Sequence, residues 1–411
     1  MRLFSPEMPP TAGLPLAARD LAPPWRGDFA ARAAAWLDLD AALLTSSGTA
    51  ALVIALRTLQ TLAPTRSTVV IPAYTCPLVP RAVQFAGLRV RLCDLADGHF
   101  DLDPVALAAA CDDDTLAVLP THLAGRVADV AATRVCADRV GAFVIEDAAQ
   151  AFGARSGNTS VGLAGDIGFF SFAVGKGLSL YEGGLLVARD PALRAALRRT
   201  AATLARARPD RELRRVLELA GYAAVYRPRL LGPAYGRPLR RALARGDVIA
   251  AVRDDQQAPI RLDRVGTLRQ TAGGRALTRL HAFHARLHAQ AAARLPMLAA
   301  LPGVRVYADS GHAHGVWPFL LLHLPSRDRR DAALARLWPA GLGVTRLFAH
   351  ALPDYPFLRD VVPATAMPQA RDFAARTLTI SNSPWLDDAR FARIVDGLQQ
   401  TLHPAAETGA R

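Results

Sequence analysis

Residues 165–177 read GDIGFFSFAVGKG, a short apolar run that ends in a lysine flanked by glycines. A continuous apolar run of this length is typical of a strand in a sheet that is covered on both faces. In such sheets, ligands bind beyond the carboxyl ends of the strands. The stretch therefore predicts an α/β fold and places Lys176 at the ligand-binding edge of its sheet.

Lys176 is the only lysine of the chain, because 48 of the 49 basic residues are arginines. Arginine replaces lysine wherever only a positive charge is needed, but a guanidinium is never deprotonated and is no amine nucleophile. The isolated lysine therefore indicates covalent chemistry with a carbonyl compound. Chance is the alternative, since a single surviving lysine would fall at this position about once in 49 cases.

Short apolar runs alternate with helical patterns from about residue 40 to residue 190. This alternation predicts a mostly parallel central sheet with helices on both faces. The predicted strands are Thr68–Ile71, Leu88–Cys93, Leu116–Pro120, Phe143–Glu146, Gly168–Phe172 and Leu185–Ala188. The predicted helices are Thr49–Leu59, Pro77–Phe85, Pro104–Ala110 and Val127–Ala137.

The second half of the chain differs from the first in composition and in the order of its predicted elements. We assign residues 1–250 to a large domain and residues 251–411 to a smaller C-terminal α/β domain. An arginine-rich helical segment with three tyrosines covers residues 191–246. Its stretch 213–241 has two interpretations: a surface for an anionic membrane or a lipid-linked substrate, or a solvated helix pair that packs against a dimer partner. We favour the second. The remaining predicted elements are one long helix at 276–300, strands at 304–307, 317–322 and 378–381, and helices at 328–340 and 387–402.

The bulk composition limits the classes of function. The net charge of +13 indicates either an anionic partner or an arginine-rich background. We find no nucleic-acid-binding motif and no apolar run of 18 residues, and the four cysteines are widely spaced. The pattern at the start of the sequence does not predict a secretory signal. No carboxylate or cysteine stands at ligand spacing from the histidines of helix 276–300, so no metal site is predicted. We expect a cytoplasmic protein.

Two further motifs carry candidate chemistry. The stretch Thr45–Leu52 has small hydroxyl residues and a glycine at the point where a predicted strand ends and a helix begins. Backbone N–H groups at such a helix start can bind a phosphate. An ordinary helix N-cap has the same sequence pattern and is the alternative. Asp147 ends the apolar strand before it, and a buried acid of this kind needs a cationic partner such as a pyridinium nitrogen. A helix cap is again the alternative for Asp147.

Together these residues resemble the DegT-type sugar aminotransferases, a branch of the fold-type I enzymes that use pyridoxal 5′-phosphate (PLP). The resemblance covers most of residues 40–190 and returns more loosely at 343–356. It is carried by SGTAAL (47–52), IPAYT (71–75), Asp94, PTHLAG (120–125), IEDAAQAFGA (145–154), GDIGFFSF (165–172), Lys176 and EGG (182–184), and then by GVTRLFAHALPDYP (343–356).

The resemblance implies a homodimeric aminotransferase of the aspartate aminotransferase-like fold, with the site at the interface. PLP would form a Schiff base with Lys176, and an amino donor such as glutamate would supply nitrogen to an anionic, nucleotide-linked keto-sugar. Roles follow for the other residues: Asp147 at the pyridine nitrogen, Gln150 at the ring hydroxyl, Ser47, Gly48, Thr49 and Ser171 at the phosphate, and Tyr74, His122, Arg346 and His350 as substrate contacts, with ordering of the loop as a second possible role of His122.

The chain departs from the family pattern at three places. Cys76 stands where the family stacks an aromatic ring on the cofactor, so Tyr74 becomes a candidate for stacking. The family has an asparagine-containing motif that reaches the phosphate across the dimer, but the corresponding stretch here, Ala258–Arg261, has no asparagine, and Arg261 is the candidate phosphate ligand in its place. The arginine-rich segment 191–246 replaces a shorter region. Two alternatives stay open: a PLP sugar dehydratase, which would have histidine at position 176, and a PLP-binding regulatory or membrane-docked protein without transaminase activity.

Overall fold

The structure is a computed structural model that describes residues 6–255 and 257–402. Its strands are β1 (Leu43–Thr45), β2 (Thr68–Pro72), β3 (Arg89–Cys93), β4 (Thr115–Val118), β5 (Phe143–Asp147), β6 (Arg155–Ser156), β7 (Thr159–Ser160), β8 (Ile167–Ser171), β9 (Gly184–Val187), β10 (Arg305–Val306), β11 (Ala313–His314), β12 (Phe319–His323), β13 (Val344–Thr345) and β14 (Thr377–Ser381). Its α-helices are α1 (Ala18–Leu21), α2 (Phe29–Trp36), α3 (Gly48–Leu62), α4 (Leu78–Phe85), α5 (Pro104–Ala110), α6 (Val130–Arg139), α7 (Pro191–Leu204), α8 (Pro209–Val225), α9 (Pro228–Leu231), α10 (Arg237–Ala244), α11 (Val248–Val252), α12 (Thr267–Leu277), α13 (Leu280–Ala299), α14 (Arg327–Leu337), α15 (Pro368–Arg376) and α16 (Asp388–Leu402).

The large sheet has seven strands in the order β1-β9-β8-β5-β4-β2-β3. All neighbouring pairs from β8 to β3 are parallel, and β9 alone runs antiparallel to its neighbours within this sheet. Strands β2, β4, β8 and β9 are buried along their whole length, which is the reason for their continuous apolar runs. The predicted fold class, α/β with a mostly parallel central sheet, is confirmed.

The chain after β9 builds a helical segment and then a second sheet. Helices α7 to α11 follow one another through residues 191–252, and α12 and α13 lead to a four-stranded antiparallel sheet in the order β10-β12-β14-β13. The predicted strands and helices of this half lie within a few residues of those observed. The boundary between residues 250 and 251 stays a prediction.

One predicted element is wrong in its bounds. The pattern at 276–300 predicts a single helix, but the structure has α12 and α13, separated at Thr278 and Arg279. The guanidinium of Arg279 binds the carbonyl of Pro15 at 3.0 Å and the carboxylate of Asp20. This tertiary contact lies outside the reach of a local periodicity, so the sequence pattern did not show the break.

Candidate active site

Several of the sequence motifs meet at one edge of the large sheet. Strand β1 runs in the same direction as β8, because both are antiparallel to β9. Strands β2, β4, β5 and β8 are parallel to one another. The carboxyl ends of β1, β2, β4, β5 and β8 therefore face the same side, and the loops that follow them can share one ligand.

The N-terminus of α3 lies directly against Ser171. The hydroxyl of Ser47 caps this helix by accepting a hydrogen bond from the N–H of Ala50 at 3.0 Å. A β-carbon on Gly48 would lie only 3.0 Å from the β-carbon of Ser171, so glycine permits the close approach. Helix N-terminal N–H groups together with a hydroxyl attract phosphate. The structure thus brings together Ser47, Gly48, Thr49 and Ser171. This arrangement is compatible with both interpretations of the motif, a phosphate site and a helix cap, because Ser47 caps the helix as well.

Asp147 is a buried carboxylate at the end of β5, with 4% of its surface exposed. One carboxylate oxygen accepts a hydrogen bond from the N–H of Ala149 at 3.0 Å. Burial raises the pKa of Asp147 above its ordinary value, while the Ala149 N–H and the nearby charges of Lys176 and His122 act in the opposite direction. A cation placed beside this carboxylate would therefore be strongly held.

Lys176 lies in the loop after β8, in the electrostatic field of Asp147 and Cys76. Burial lowers the pKa of the Lys176 amine, and the neighbouring carboxylate of Asp147 offsets part of this effect. A lowered pKa leaves more of the amine uncharged, which is the form that attacks a carbonyl carbon. Gly175 precedes it with φ +86°, a left-handed conformation that favours glycine.

Gln150 completes this group from the loop after β5. Its side-chain oxygen accepts a hydrogen bond from the N–H of Ala124 at 2.8 Å, and Ala124 has an unusual φ of 59°. The bond to Ala124 fixes the carboxamide and leaves its NH₂ end as a donor. Gln150 and Lys176 line one cavity together with Ser171, Ala12 and the ring of His284. No sequence motif marked His284 as a site residue.

His122 does not have a free ring nitrogen for a substrate. Its Nδ1 accepts a hydrogen bond from the N–H of Ala128 at 3.0 Å, and its Nε2 lies 2.9 Å from the carboxylate of Glu146. Glu146 also accepts hydrogen bonds from three backbone N–H groups, those of Gly162, Ala164 and Gly165. Both ring nitrogens are therefore engaged, which favours the second of the two predicted roles of His122, ordering of the loop after β4, and its role stays a prediction.

The ring of Tyr74 packs in the core. It meets Phe348 and Phe373 edge-on with ring centroids at 5.4 and 5.1 Å, and its hydroxyl accepts the N–H of Phe348 at 3.2 Å. These contacts count against stacking of Tyr74 on the cofactor, and its role stays a prediction. Burial also raises the pKa of Tyr74 to about 12, so its hydroxyl is neutral.

Cys76 stays at the site, within the field of Lys176 and Asp147. Burial raises the pKa of its thiol to about 12, which makes it a neutral and unreactive group. The hydroxyl of the preceding residue, Thr75, is buried and has no hydrogen-bond partner among the residues that the structure describes. An orphaned hydroxyl is uncommon in a folded chain and indicates a place for a ligand group.

The other predicted contacts lie further out. The side chain of Arg261 is exposed, whereas its backbone carbonyl accepts a hydrogen bond from the hydroxyl of Ser46 at 2.9 Å. Arg346 pairs with Asp331 at 3.2 Å, and His350 is partly buried with its ring edge against Tyr355. The structure does not bring Arg261, Arg346 or His350 into contact with the Lys176 loop, and their roles stay predictions.

Asp254 was missed by the sequence analysis. Its carboxylate accepts hydrogen bonds from the Tyr355 hydroxyl at 2.5 Å and from the Ala349 N–H at 2.8 Å. It thereby joins the chain after α11 to the loop 346–355, and its charge acts on Cys76. Burial raises the pKa of Asp254 to about 6, against the effect of these two hydrogen bonds. The one local feature that marks Asp254 in the sequence is the Asp-Asp pair after a helix. Such pairs are common on protein surfaces, so the pair did not identify Asp254 as a buried residue.

Two searches of the described residues bear on other classes of site. Among residues 6–255 and 257–402, no three histidine, cysteine or acidic side chains are grouped so that they could hold a metal ion. Within the same residues, every helix is too short or too polar to cross a membrane.

Comparison with known proteins identifies the relatives of this chain. Residues 24–223 match the model of the DegT/DnrJ/EryC1/StrS aminotransferase family. The dTDP-3-amino-3,4,6-trideoxy-alpha-D-glucose transaminase of Streptomyces venezuelae is 28% identical over 376 residues, which cover 90% of this chain and 86% of that protein. The UDP-N-acetyl-3-dehydro-alpha-D-glucosamine 3-aminotransferase of Acidithiobacillus ferrooxidans is 37% identical over 154 residues, 37% of this chain and 41% of that protein.

Solved structures agree with these relatives. S. venezuelae DesV, in complex with a ketimine intermediate, has a TM-score of 0.68 and 26% identity, with 95% of this chain and 91% of that chain covered. The sugar aminotransferase CalS13 from Micromonospora echinospora shares the fold, with a TM-score of 0.71, 21% identity and coverage of 96% and 100%. Family match, relative and fold agree: this chain resembles the DegT/DnrJ/EryC1/StrS aminotransferase family over residues 24–223 and is an aminotransferase.

Proposed function

We propose that this chain uses PLP to move an amino group from a donor such as glutamate to a nucleotide-linked keto-sugar. The observation that carries the proposal is the position of its only lysine, whose pKa is lowered by burial, beside the buried carboxylate of Asp147. The names of two relatives, a dTDP-sugar transaminase and a UDP-sugar aminotransferase, support the substrate class.

The residues present fit PLP at three points. The close contact of Gly48 with Ser171 forms a cradle for its phosphate at the start of α3. Asp147 lacks a hydrogen-bonded cation among the described residues and would hold the pyridine nitrogen. The NH₂ group of Gln150 would donate to the ring hydroxyl. When bound, PLP supplies an electron sink for negative charge that develops on the substrate carbon next to the nitrogen.

Lys176 has two tasks in this proposal. Its uncharged amine forms the covalent attachment to the cofactor, which its lowered pKa favours. The same Nζ would also serve as the base that takes up the proton from the α-carbon of the donor and as the acid that gives a proton back. The carboxylate of Asp147 would pair with the pyridine nitrogen and favour its protonated form.

Three finer points belong to the same proposal. The enzyme works as a homodimer, and the exposed Arg261 reaches the phosphate in the partner subunit, for which a guanidinium is well suited. It acts in the cytoplasm. The net charge of +13 favours the arrival of anionic nucleotide-sugars and dicarboxylate donors.

The proposal is tested by the absorption spectrum of the purified protein with PLP. We expect a visible band that is absent in Lys176→Ala and that shifts to shorter wavelength when glutamate is added. No band in the parent protein would refute the cofactor assignment. A band that no amino donor changes would favour a regulatory protein or a dehydratase.

Contact with an anionic membrane through 213–241 remains the alternative role for that stretch. Leu213 and Leu217 are exposed by 62% and 65% on α8, which keeps this alternative open. Co-sedimentation with anionic and neutral vesicles tests it, and deletion of 213–241 is the control. Salt-sensitive binding that is lost on deletion would support docking.

A further inference from the structure

The helical stretch after α7 turns Tyr226 inward. We call residues 209–246, from α8 to the turn after α10, the brace segment. Tyr226 is 7% exposed, and its ring lies 4.7 Å from that of Tyr222 and 5.4 Å, edge-on, from that of Trp385. Aromatic side chains that are buried against the protein itself cannot enter a lipid headgroup layer. The aromatic part of the brace segment therefore serves an internal contact.

That contact is made with the N-terminal strap, residues 7–16. The Tyr226 hydroxyl accepts a hydrogen bond from the N–H of Gly13 at 3.1 Å and donates one to the carbonyl of Thr11 at 2.9 Å. At the start of the strap, the buried carboxylate of Glu7 pairs with Arg240 at 2.8 Å, and the Glu7 N–H donates to the carbonyl of Pro228 at 2.8 Å. The brace segment thus holds the strap at two places.

The strap in turn lies on the Lys176 loop, residues 173–178. The N–H of Leu14 donates to the carbonyl of Gly177 at 2.8 Å. A β-carbon on Gly13 would lie 3.3 Å from the carbonyl oxygen of Lys176, and one on Gly175 would lie 3.3 Å from the hydroxyl of Thr11. Residues on both sides of the reactive lysine are therefore in contact with a strap whose own position depends on Tyr226.

The Lys176 loop has little regular secondary structure that would fix its conformation. It contains no helix or strand, and its two glycines, at positions 175 and 177, permit many backbone conformations. Fixing the backbone of each loop residue costs about 1–2 kcal/mol in conformational entropy. An external contact that holds the loop reduces the number of positions that the lysine amine can occupy.

We propose that Tyr226 is a positioning residue for Lys176, and that the brace segment acts through the N-terminal strap to hold the amine at the site. The proposal rests on the proposed function only for the identity of Lys176 as the reacting amine. It assigns a role to the arginine- and tyrosine-rich stretch that the family resemblance leaves unexplained.

The test uses Tyr226→Phe, which removes the hydroxyl and keeps the ring. Because Lys176 is the only lysine, an amine-reactive reagent such as acetic anhydride reports on a single ε-amine, read by mass spectrometry of its peptide. In cofactor-free protein we expect the pH midpoint of labelling to rise toward that of an ordinary lysine by about half a pH unit or more, a threefold change in the free-amine fraction. We also expect PLP to attach at least about threefold more slowly, as for the loss of one hydrogen bond.

Tyr307→Phe is the matched control. The Tyr307 hydroxyl donates to the carbonyl of Gly98 at 2.8 Å, so this variant also loses a bond from a buried tyrosine to the backbone, but away from the strap. Its labelling midpoint should equal that of the parent protein. A folded Tyr226→Phe protein with an unchanged midpoint would overturn the proposal.

A second variant covers the case in which Tyr226→Phe does not fold. Glu7→Gln weakens the other attachment of the strap, its ion pair with Arg240, and we expect an upward shift of the midpoint in the same direction. An unchanged midpoint in Glu7→Gln would then overturn the proposal. Since labelling needs no cofactor, a chain that fails to bind PLP still gives this result, and the two proposals fail separately.

Discussion

Replacing Asp254 by asparagine is expected to make the cofactor-free protein more stable at neutral pH and to leave its stability near pH 4 almost unchanged. Burial raises the pKa of this carboxyl from 3.8 to about 6 in the folded chain. At about 1.4 kcal/mol for each pH unit, the difference corresponds to about 3 kcal/mol. This is the free energy that the folded state loses when Asp254 ionises.

The sign follows from where the proton binds more tightly. Below about pH 4 the carboxyl is protonated in both the folded and the unfolded chain, so burial carries no extra cost. As the pH rises through 6 the folded chain must ionise it, and the stability is lost. The asparagine side chain of the variant would stay neutral at every pH, while its oxygen still accepts hydrogen bonds from Tyr355 and Ala349. The variant should therefore gain up to about 3 kcal/mol at pH 8.

The assay is urea unfolding, followed by tryptophan fluorescence, at a series of pH values from 4.5 to 8. Asp255→Asn is the matched control, because Asp255 is the next residue and is exposed. We expect the difference between Asp254→Asn and the parent to grow between pH 5 and 7, and no such growth for Asp255→Asn. A difference that is the same at pH 5 and pH 8 would refute the reasoning, since a buried titrating carboxyl must produce a pH dependence.

Three more predictions concern the site itself. Gly48→Ala places a β-carbon 3.0 Å from that of Ser171, so the helix start and Ser171 must move apart. The Kd for PLP, measured by fluorescence titration, should rise about tenfold or more, as for the loss of one hydrogen bond to a charged group. An unchanged Kd would mean that the phosphate binds elsewhere. Asp147→Asn removes the carboxylate that raises the amine pKa, so labelling of Lys176 in cofactor-free protein should occur at lower pH than in the parent, and a shift to higher pH would contradict the assigned contact. Arg261→Ala should weaken PLP binding in a dimer of two variant subunits. A mixed dimer of one Arg261→Ala subunit and one Lys176→Ala subunit should retain one intact site, because the second subunit supplies Arg261 to the lysine site of the first. Activity measured across mixing ratios distinguishes this contribution of the partner from one within the subunit.

Local sequence was enough for the elements that depend on neighbours in the chain. The apolar runs around Phe143–Asp147 and Ile167–Ser171 predicted buried parallel strands, because strands covered on both faces have no polar side. The rule that ligands bind at carboxyl ends then placed Asp147 and Lys176 at one edge, and the sheet order joins their two strands directly. The single lysine was visible from composition alone.

Only the tertiary structure decided which polar groups are free. His122 and Tyr74 look like site residues in the sequence. In the structure, the ring nitrogens of His122 are hydrogen-bonded to Glu146 and Ala128, and the hydroxyl of Tyr74 is hydrogen-bonded to Phe348. No local sequence pattern identifies these three residues as hydrogen-bond partners. In the same way, the importance of Asp254 and Tyr226 depends on contacts with residues 95 and more than 200 positions away. A side chain has a chemical role only after its hydrogen bonds are assigned, and those partners are set by packing rather than by local sequence.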